Sequence, residues 1–143
     1  MPVGAENMLG DMSNNKELPE TLTACRLNNI GRDQINAFAD MSGDYNPLHM
    51  DIDAAQRSGM NTIIAHGSIA LNLLWESIER SFKARSDPEM RLDVRFRAPV
   101  HLDDSIETGG SRIENTDDYN VWVSNQDGER VIEGTLTTST RTQ

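Results

Sequence analysis

Around Pro88 the hydrophobic period of the chain changes from that of a helix to that of a strand. Upstream, from about Gly67 to Lys83, runs the longest helical signal. Its first half, Ile69 to Trp75, is apolar nearly all round, which predicts a helix buried within the protein rather than laid on its surface. The second half returns to a one-sided pattern, with Ile78 and Phe82 at i, i+4. Downstream, Met90, Leu92, Val94, Phe96 and Ala98 point one way and Arg91, Asp93, Arg95 and Arg97 the other, a period of two. Pro99 ends that strand or marks a bulge. A buried helix followed by strands must be covered by the sheet those strands build, which is an α+β arrangement with a long helix lying against one antiparallel sheet.

The remaining elements fit that plan. Residues 1–18 are polar and without period, and predict an arm ahead of a single domain over 19–143. Residues 21–28 alternate loosely and predict a strand. A helix is expected over 31–41, with Ile35, Phe38 and Ala39 on one face and Ser42-Gly43 as its stop. Asp51 is an N-cap for a short helix over 51–57, and Gly59 lies beyond its end. Three more strands are expected near 104–114, 118–125 and 129–140. Asn115-Thr116-Asp117 and Asp127-Gly128 separate them, and the last pair reads as a hairpin.

The chain has 143 residues, enough for one ordinary domain, and a formal charge of −10 from 23 acidic and 13 basic residues. That balance argues against nucleic-acid binding, which needs Lys and Arg to neutralise phosphates. Lys16 and Lys83 are the only lysines, so nearly all positive charge is arginine. Arg91, Arg95 and Arg97 read most simply as a solvated strand face. A single cysteine, Cys25, excludes an internal disulfide and a cysteine-based zinc cluster, and reads as a small core filler. No metal is expected, because three scattered histidines form no metal-binding motif. No stretch approaches the roughly 20 apolar residues of a membrane span, and the N-terminus lacks a signal-peptide pattern, so the expected location is cytoplasmic.

The chemistry concentrates in Ser42-Gly43-Asp44-Tyr45-Asn46-Pro47-Leu48-His49. Asp44 falls where a helix ends, and the partial negative charge there disfavours an ionised carboxylate and favours a protonated histidine. Pro47 fixes its own φ and holds Asn46 extended, so the path from Asp44 to His49 is a stiff bend. Such a bend can hold a carboxylate and an imidazole around one water molecule. It can equally be a plain turn, since Asp and Asn bond their own backbone and Pro pre-sets the bend. A second segment, Ile63-Ile64-Ala65-His66-Gly67-Ser68, opens the long helix. Gly67 brings backbone N–H groups and the positive helix end close to whatever binds there, which suits a carbonyl oxygen that gains negative charge. Gly67 equally suits plain close packing at a helix entry, and His66 reads as a capping or packing histidine.

Taken together, Ser42 to His49 and Ile64-Ala65-His66-Gly67 resemble the MaoC-like hydratases and dehydratases, which include the (R)-specific enoyl-CoA hydratases. Val94 to Val100 and Asp103 resemble the family's downstream strand and the turn after it. The resemblance covers about residues 30–104 well and the C-terminal strands loosely. It implies the hot-dog fold, a long helix wrapped by a curved antiparallel sheet, and a homodimer or dimer of dimers with sites at the interface.

The resemblance also implies roles. Asp44 and His49 would hold the catalytic water, the Gly67 N–H would bind a thioester carbonyl, and Asn46 would orient the pair or its loop. No cofactor is implied beyond the coenzyme A or carrier thioester of the substrate. Trp75 departs from the family pattern, which has a small hydroxyl residue two turns into the long helix. Its indole either limits acyl length or faces the core. Three activities stay open: an (R)-specific enoyl-CoA hydratase, a dehydratase of carrier-protein-bound 3-hydroxyacyl groups, and an acyl-thioester-binding subunit without turnover.

Overall fold

In the computed structural model, residues 18–82 and 89–139 are described. The elements run β1 (Arg26–Leu27), α1 (Arg32–Ser42), α2 (Pro47–Met50), α3 (Ile52–Arg57), α4 (Gly67–Ser81), β2 (Glu89–Phe96), β3 (Ile106–Arg112), β4 (Tyr119–Asn125) and β5 (Arg130–Ser139). The strands form one antiparallel sheet in the order β1-β3-β4-β5-β2. The fold is α+β, as the periodicity predicts, and it is the hot dog that the family resemblance implies.

Helix α4 lies across β3 and β4. It buries Ala70, Leu73, Leu74 and Ile78 among Ile106, Val121, Val123, Ile132 and Leu136 of the sheet. Each leucine and isoleucine there contributes about 1.5–3 kcal/mol by leaving water, so this one helix face is a main source of stability. The strands meet it with every second residue, as the alternation of β4 shows: Tyr119, Val121 and Val123 are buried. Between β5 and β2 the backbones approach closely where a side chain is missing. At Gly134 an added Cβ would stand 1.9 Å from the backbone oxygen of Asp93 on β2.

Several local expectations hold. Gly43 ends α1 in the left-handed conformation, φ 79°, and its N–H donates to the Ala39 carbonyl. Asp51 caps α3 by accepting from the N–H groups of Asp53 and Ala54, and Gly59 follows at φ 92°. β4 and β5 form the expected hairpin, turning at Gly128 with φ 81°. Cys25 is buried in the core.

Others are corrected. Of the strand expected over 21–28, only Arg26–Leu27 pairs in a ladder with β3. The Cys25 N–H donates to the Thr108 hydroxyl, so a side chain interrupts the backbone ladder. The long helix ends at Ser81, with Phe82 as its cap, and Lys83 falls outside the described residues, as does residues 1–17 of the predicted arm. Nor is the helix buried all round: Trp75 is 40% exposed, because the sheet covers one side only. Phe96, expected on the core face of β2, is 57% exposed. It lies at the strand's end, where the ring passes over Gly67 instead. The four-residue helix α2 was not anticipated, although Asn46 as cap and Pro47 at its first position are its ordinary signals.

No helix among the described residues is long and apolar enough to cross a membrane.

Candidate active site

Two loops converge where α1 ends and α4 begins. The first carries Asp44 and His49. After the left-handed turn at Gly43, the Asp44 carboxylate accepts from the Asn46 N–H at 3.2 Å. Asn46 is extended, with ψ 132°, and its side-chain oxygen caps α2 by accepting from the Leu48 N–H at 2.9 Å. That cap and Pro47 fix the single turn that presents His49. Asn46 therefore orients the loop through the backbone, and its side chain is committed to doing so.

The second loop, 63–66, is pinned on both sides. The Ala65 N–H donates to the Val100 carbonyl at 2.7 Å and the Leu102 N–H to the Ile63 carbonyl at 2.9 Å, which sets the start of α4 beside Pro99. On its other side the Ile64 N–H donates to the Leu48 carbonyl at 3.1 Å. The Ile64 carbonyl in turn accepts from His49 Nδ1 at 2.7 Å. A carbonyl only accepts, so Nδ1 carries the proton, and in neutral His49 the lone pair is on Nε2. That nitrogen faces Asp44 Oδ2 at 3.8 Å. The imidazole is 11% exposed and the carboxylate 53%, so the pair sits at a border between protein and solvent.

His49 and Gly67 share one cleft of about 340 Å³, with Phe96, Pro99, Val131 and Ile132 among its apolar walls. The volume is within the range of small-molecule sites. As first residue of α4, Gly67 has an N–H with no intrahelical partner, at the positive end of a 15-residue helix. A side chain there would meet the Phe96 ring, with Cβ 2.8 Å from Cε2, so glycine keeps this wall open. Asp44 joins the cleft only through His49.

His66 does not cap α4, since its side chain makes no cap hydrogen bond. It is buried, 2% exposed, and its Nε2 lies 2.9 Å from the Asp44 carbonyl. Trp75 is not among the cleft-lining residues, and its exposure removes it from the core as well. Phe96 and Arg97 line the cleft without having been singled out; the alternation of β2 had assigned one to the core and the other to solvent. A larger groove of about 740 Å³ crosses the outer sheet face at Arg95, Arg97, Trp122, Arg130 and Glu133. Arg97 and Arg130 both pair with Glu133 there. Buried Cys25 is likewise no nucleophile: desolvation, helped by Glu76, pushes its thiol pKa up.

Asp44, His49 and His66 bring donor atoms within 4.8 Å of one another, a spacing at which a cation can be considered. The two imidazoles stack, however, at 3.9 Å with 26° between planes. Their in-plane lone pairs run side by side instead of converging on a point, and a transition metal needs convergence.

The chain is similar to known proteins. Residues 10–142 match the sequence profile of the MaoC like domain. A mitochondrial 3-hydroxyacyl-acyl-carrier-protein dehydratase of Arabidopsis thaliana is 31% identical over 74 residues, 52% of this chain and 43% of that protein. An (R)-specific enoyl-CoA hydratase of Rhodospirillum rubrum is 26% identical over 91 residues, 64% of this chain and 63% of that protein. The chain thus spans less than two thirds of either relative's length. Among solved structures, an unliganded R-hydratase from Pseudomonas aeruginosa superposes with a TM-score of 0.67 at 26% identity, covering 85% of this chain and 80% of that one.

Proposed function

The chain belongs to the MaoC-like domain family, and from that premise we propose that it is a hydro-lyase. It adds water reversibly to a 2-enoyl thioester to give an (R)-3-hydroxyacyl thioester. The observation that carries this reading is that His49, whose Nδ1 holds the proton and leaves a lone pair on Nε2, and Gly67, whose N–H has no partner within the helix, line one apolar cleft. Each supplies what the other lacks: a base for water, and a donor for the carbonyl that must become electron-rich.

The chemistry follows from the distances. Two acceptors facing each other across 3.8 Å are both satisfied by a water molecule that donates one hydrogen to each. His49 Nε2 takes a proton from that water as its oxygen bonds to the β-carbon. The electron pair of the carbon–carbon double bond moves toward the thioester, and the developing enolate oxygen is held by the Gly67 N–H and the end of α4. The proton returns from the Asp44–His49 pair to the α-carbon, so water is added across the double bond with nothing left over. No metal or organic cofactor enters, because the helix end supplies the electrophilic assistance.

Two further features favour a dimer. The outer edge of β2, eight residues long, has no partner strand among the described residues, and Phe96 at its end is exposed beside the cleft. A second copy pairing along that edge would cover both.

The test is loss of enoyl absorbance with a series of 2-enoyl-CoA esters. Asp44→Asn and His49→Gln are expected to lower kcat by about 10²–10⁴-fold with the fold intact. Activity that survives both substitutions refutes the assignment. The dehydratase from Arabidopsis is named for carrier-bound substrates, which supports a second reading, action on carrier-protein thioesters. Turnover of those, with none of any CoA ester, selects it. Tight thioester binding without turnover of either kind selects the non-catalytic reading.

A further inference from the structure

His66 contacts all three parts of the proposed machinery, yet it does not line the cleft. Its Nε2 lies 2.9 Å from the Asp44 carbonyl, so Nε2 carries the proton and donates. Its ring stacks on that of His49 at 3.9 Å, while Phe38 closes the other side at 4.9 Å. Its own carbonyl carbon is bonded to the nitrogen of Gly67. Burial of such a ring is costly, because Nδ1 is left inside the protein with no hydrogen-bond partner. A phenyl ring would fill the same space between Phe38 and His49 without that cost. What a phenyl ring lacks is the N–H that reaches Asp44.

We propose that His66 is a positioning residue, which holds the Asp44 turn and the His49 ring in register with the Gly67 N–H. The inference rests on the hydratase reading of the site and goes beyond it. Asp44 needs such a hold. Its side chain is half exposed, its loop is shaped by hydrogen bonds among residues 39–49, and those set its shape without tying Asp44 to α4. The Nε2–H bond is the direct tie between the carboxylate's own residue and the helix that binds the carbonyl. The stack does the equivalent for His49: it fixes the plane of a ring whose Nδ1 is already held by Ile64. Tautomers follow in a chain, with Nε2–H on His66 and Nδ1–H on His49, both dictated by backbone carbonyls.

The experiment uses the full chain and two variants. His66→Phe keeps the ring and removes the donor; His66→Gln returns an amide donor near the place of Nε2 without the ring. The chain has three histidines, so their imidazole nitrogens can be assigned by ¹⁵N NMR. In the wild-type protein His66 is expected as the Nε2–H tautomer and His49 as Nδ1–H. His66→Phe is expected to lower kcat by roughly 10–100-fold with KM changed less than about twofold, since misplacement near 1 Å has that effect on the chemical step. His49 in that variant is expected to give a mixed tautomer signal, and Gln to recover a measurable part of kcat. Wild-type kcat in His66→Phe, or Gln no better than Phe, overturns the proposal. So does an Nδ1–H tautomer for His66 in the wild type, a result available even if the variants fail to fold. If the wild-type chain hydrates no thioester, the hydratase reading fails on that ground alone, and the His49 tautomer in His66→Phe still decides whether His66 positions it.

Discussion

Replacing Gly67 by proline tests the proposed carbonyl donor with little else disturbed. The position is the first of α4, where proline is well tolerated because that N–H has no partner within the helix. The preceding residue suits it as well, since His66 is already extended at φ −63° and ψ 135°. The foreseeable steric cost is the Phe96 ring, with Cε2 2.8 Å from a Cβ at 67. Ordinary carbon contacts are about 3.5–4.0 Å, so the ring must retreat by roughly 1 Å, which it can do toward solvent. Gly67→Ala carries the same Cβ and keeps the N–H, so the ratio of the two variants isolates the donor. Losing one such donor lowers kcat by about 10²–10³-fold, or ~2.7–4 kcal/mol. Hydration of a short 2-enoyl-CoA ester, followed by absorbance, with melting curves for both variants, gives the ratio. If Gly67→Pro matches Gly67→Ala in kcat while both are folded, this N–H does not hold the carbonyl, and the division of labour proposed here is wrong.

Gly134→Ala is expected to destabilise by about 3 kcal/mol or more and to lower Tm by roughly 10 °C, since its Cβ would stand 1.9 Å from the Asp93 oxygen; a melting curve within a degree or two of wild type refutes the close approach of β5 and β2 at this position. Cys25, buried with a raised pKa, is expected to resist thiol reagents at pH 8 until the chain is unfolded in denaturant. Because the folded state holds the proton more tightly, this group's contribution is full below the ordinary thiol value of 9.0 and falls as pH rises through it, so denaturant midpoints measured across pH 8–10 should decline. Trp75→Ser is expected to leave the acyl-length profile unchanged, because the indole is no wall of the cleft; a profile extended to longer acyl chains places it in the substrate's path.

Periodicity made the strands β2 to β5, the long helix and its packing face legible, because those patterns report burial directly. It misassigned Phe96, since alternation continues along a strand even past the point where the core ends. Trp75 was misread for a related reason: an apolar residue on a helix predicts burial, and only the sheet's actual extent says on which sides. The strand expected over 21–28 failed at Thr108, whose hydroxyl replaces a ladder carbonyl, and no pattern in residues 21–28 announces a competitor some eighty positions away. In the site, Asp44, His49 and Gly67 were visible as chemistry-bearing types. The hydrogen bonds that fix their protonation were not, because the Ile64 and Asp44 carbonyls belong to the backbone and leave no mark in residue identity.

That last point explains why the motif contains so many residues with no chemistry of their own. An aspartate and a histidine five positions apart can face each other in many ways, few of which leave a lone pair on the right nitrogen. Gly43 takes the left-handed turn that releases the chain from α1; Asn46 caps the next turn and Pro47 starts it. Leu48 lends its carbonyl to Ile64, which brings the Ile64 carbonyl to His49 Nδ1 and so bares Nε2. Each step is local backbone geometry, yet the product is a protonation state. A substitution at Asn46 should therefore act on His49 at a distance, by loosening the turn that selects its tautomer. The site is specified by its glycine, asparagine and proline as much as by its acid and base.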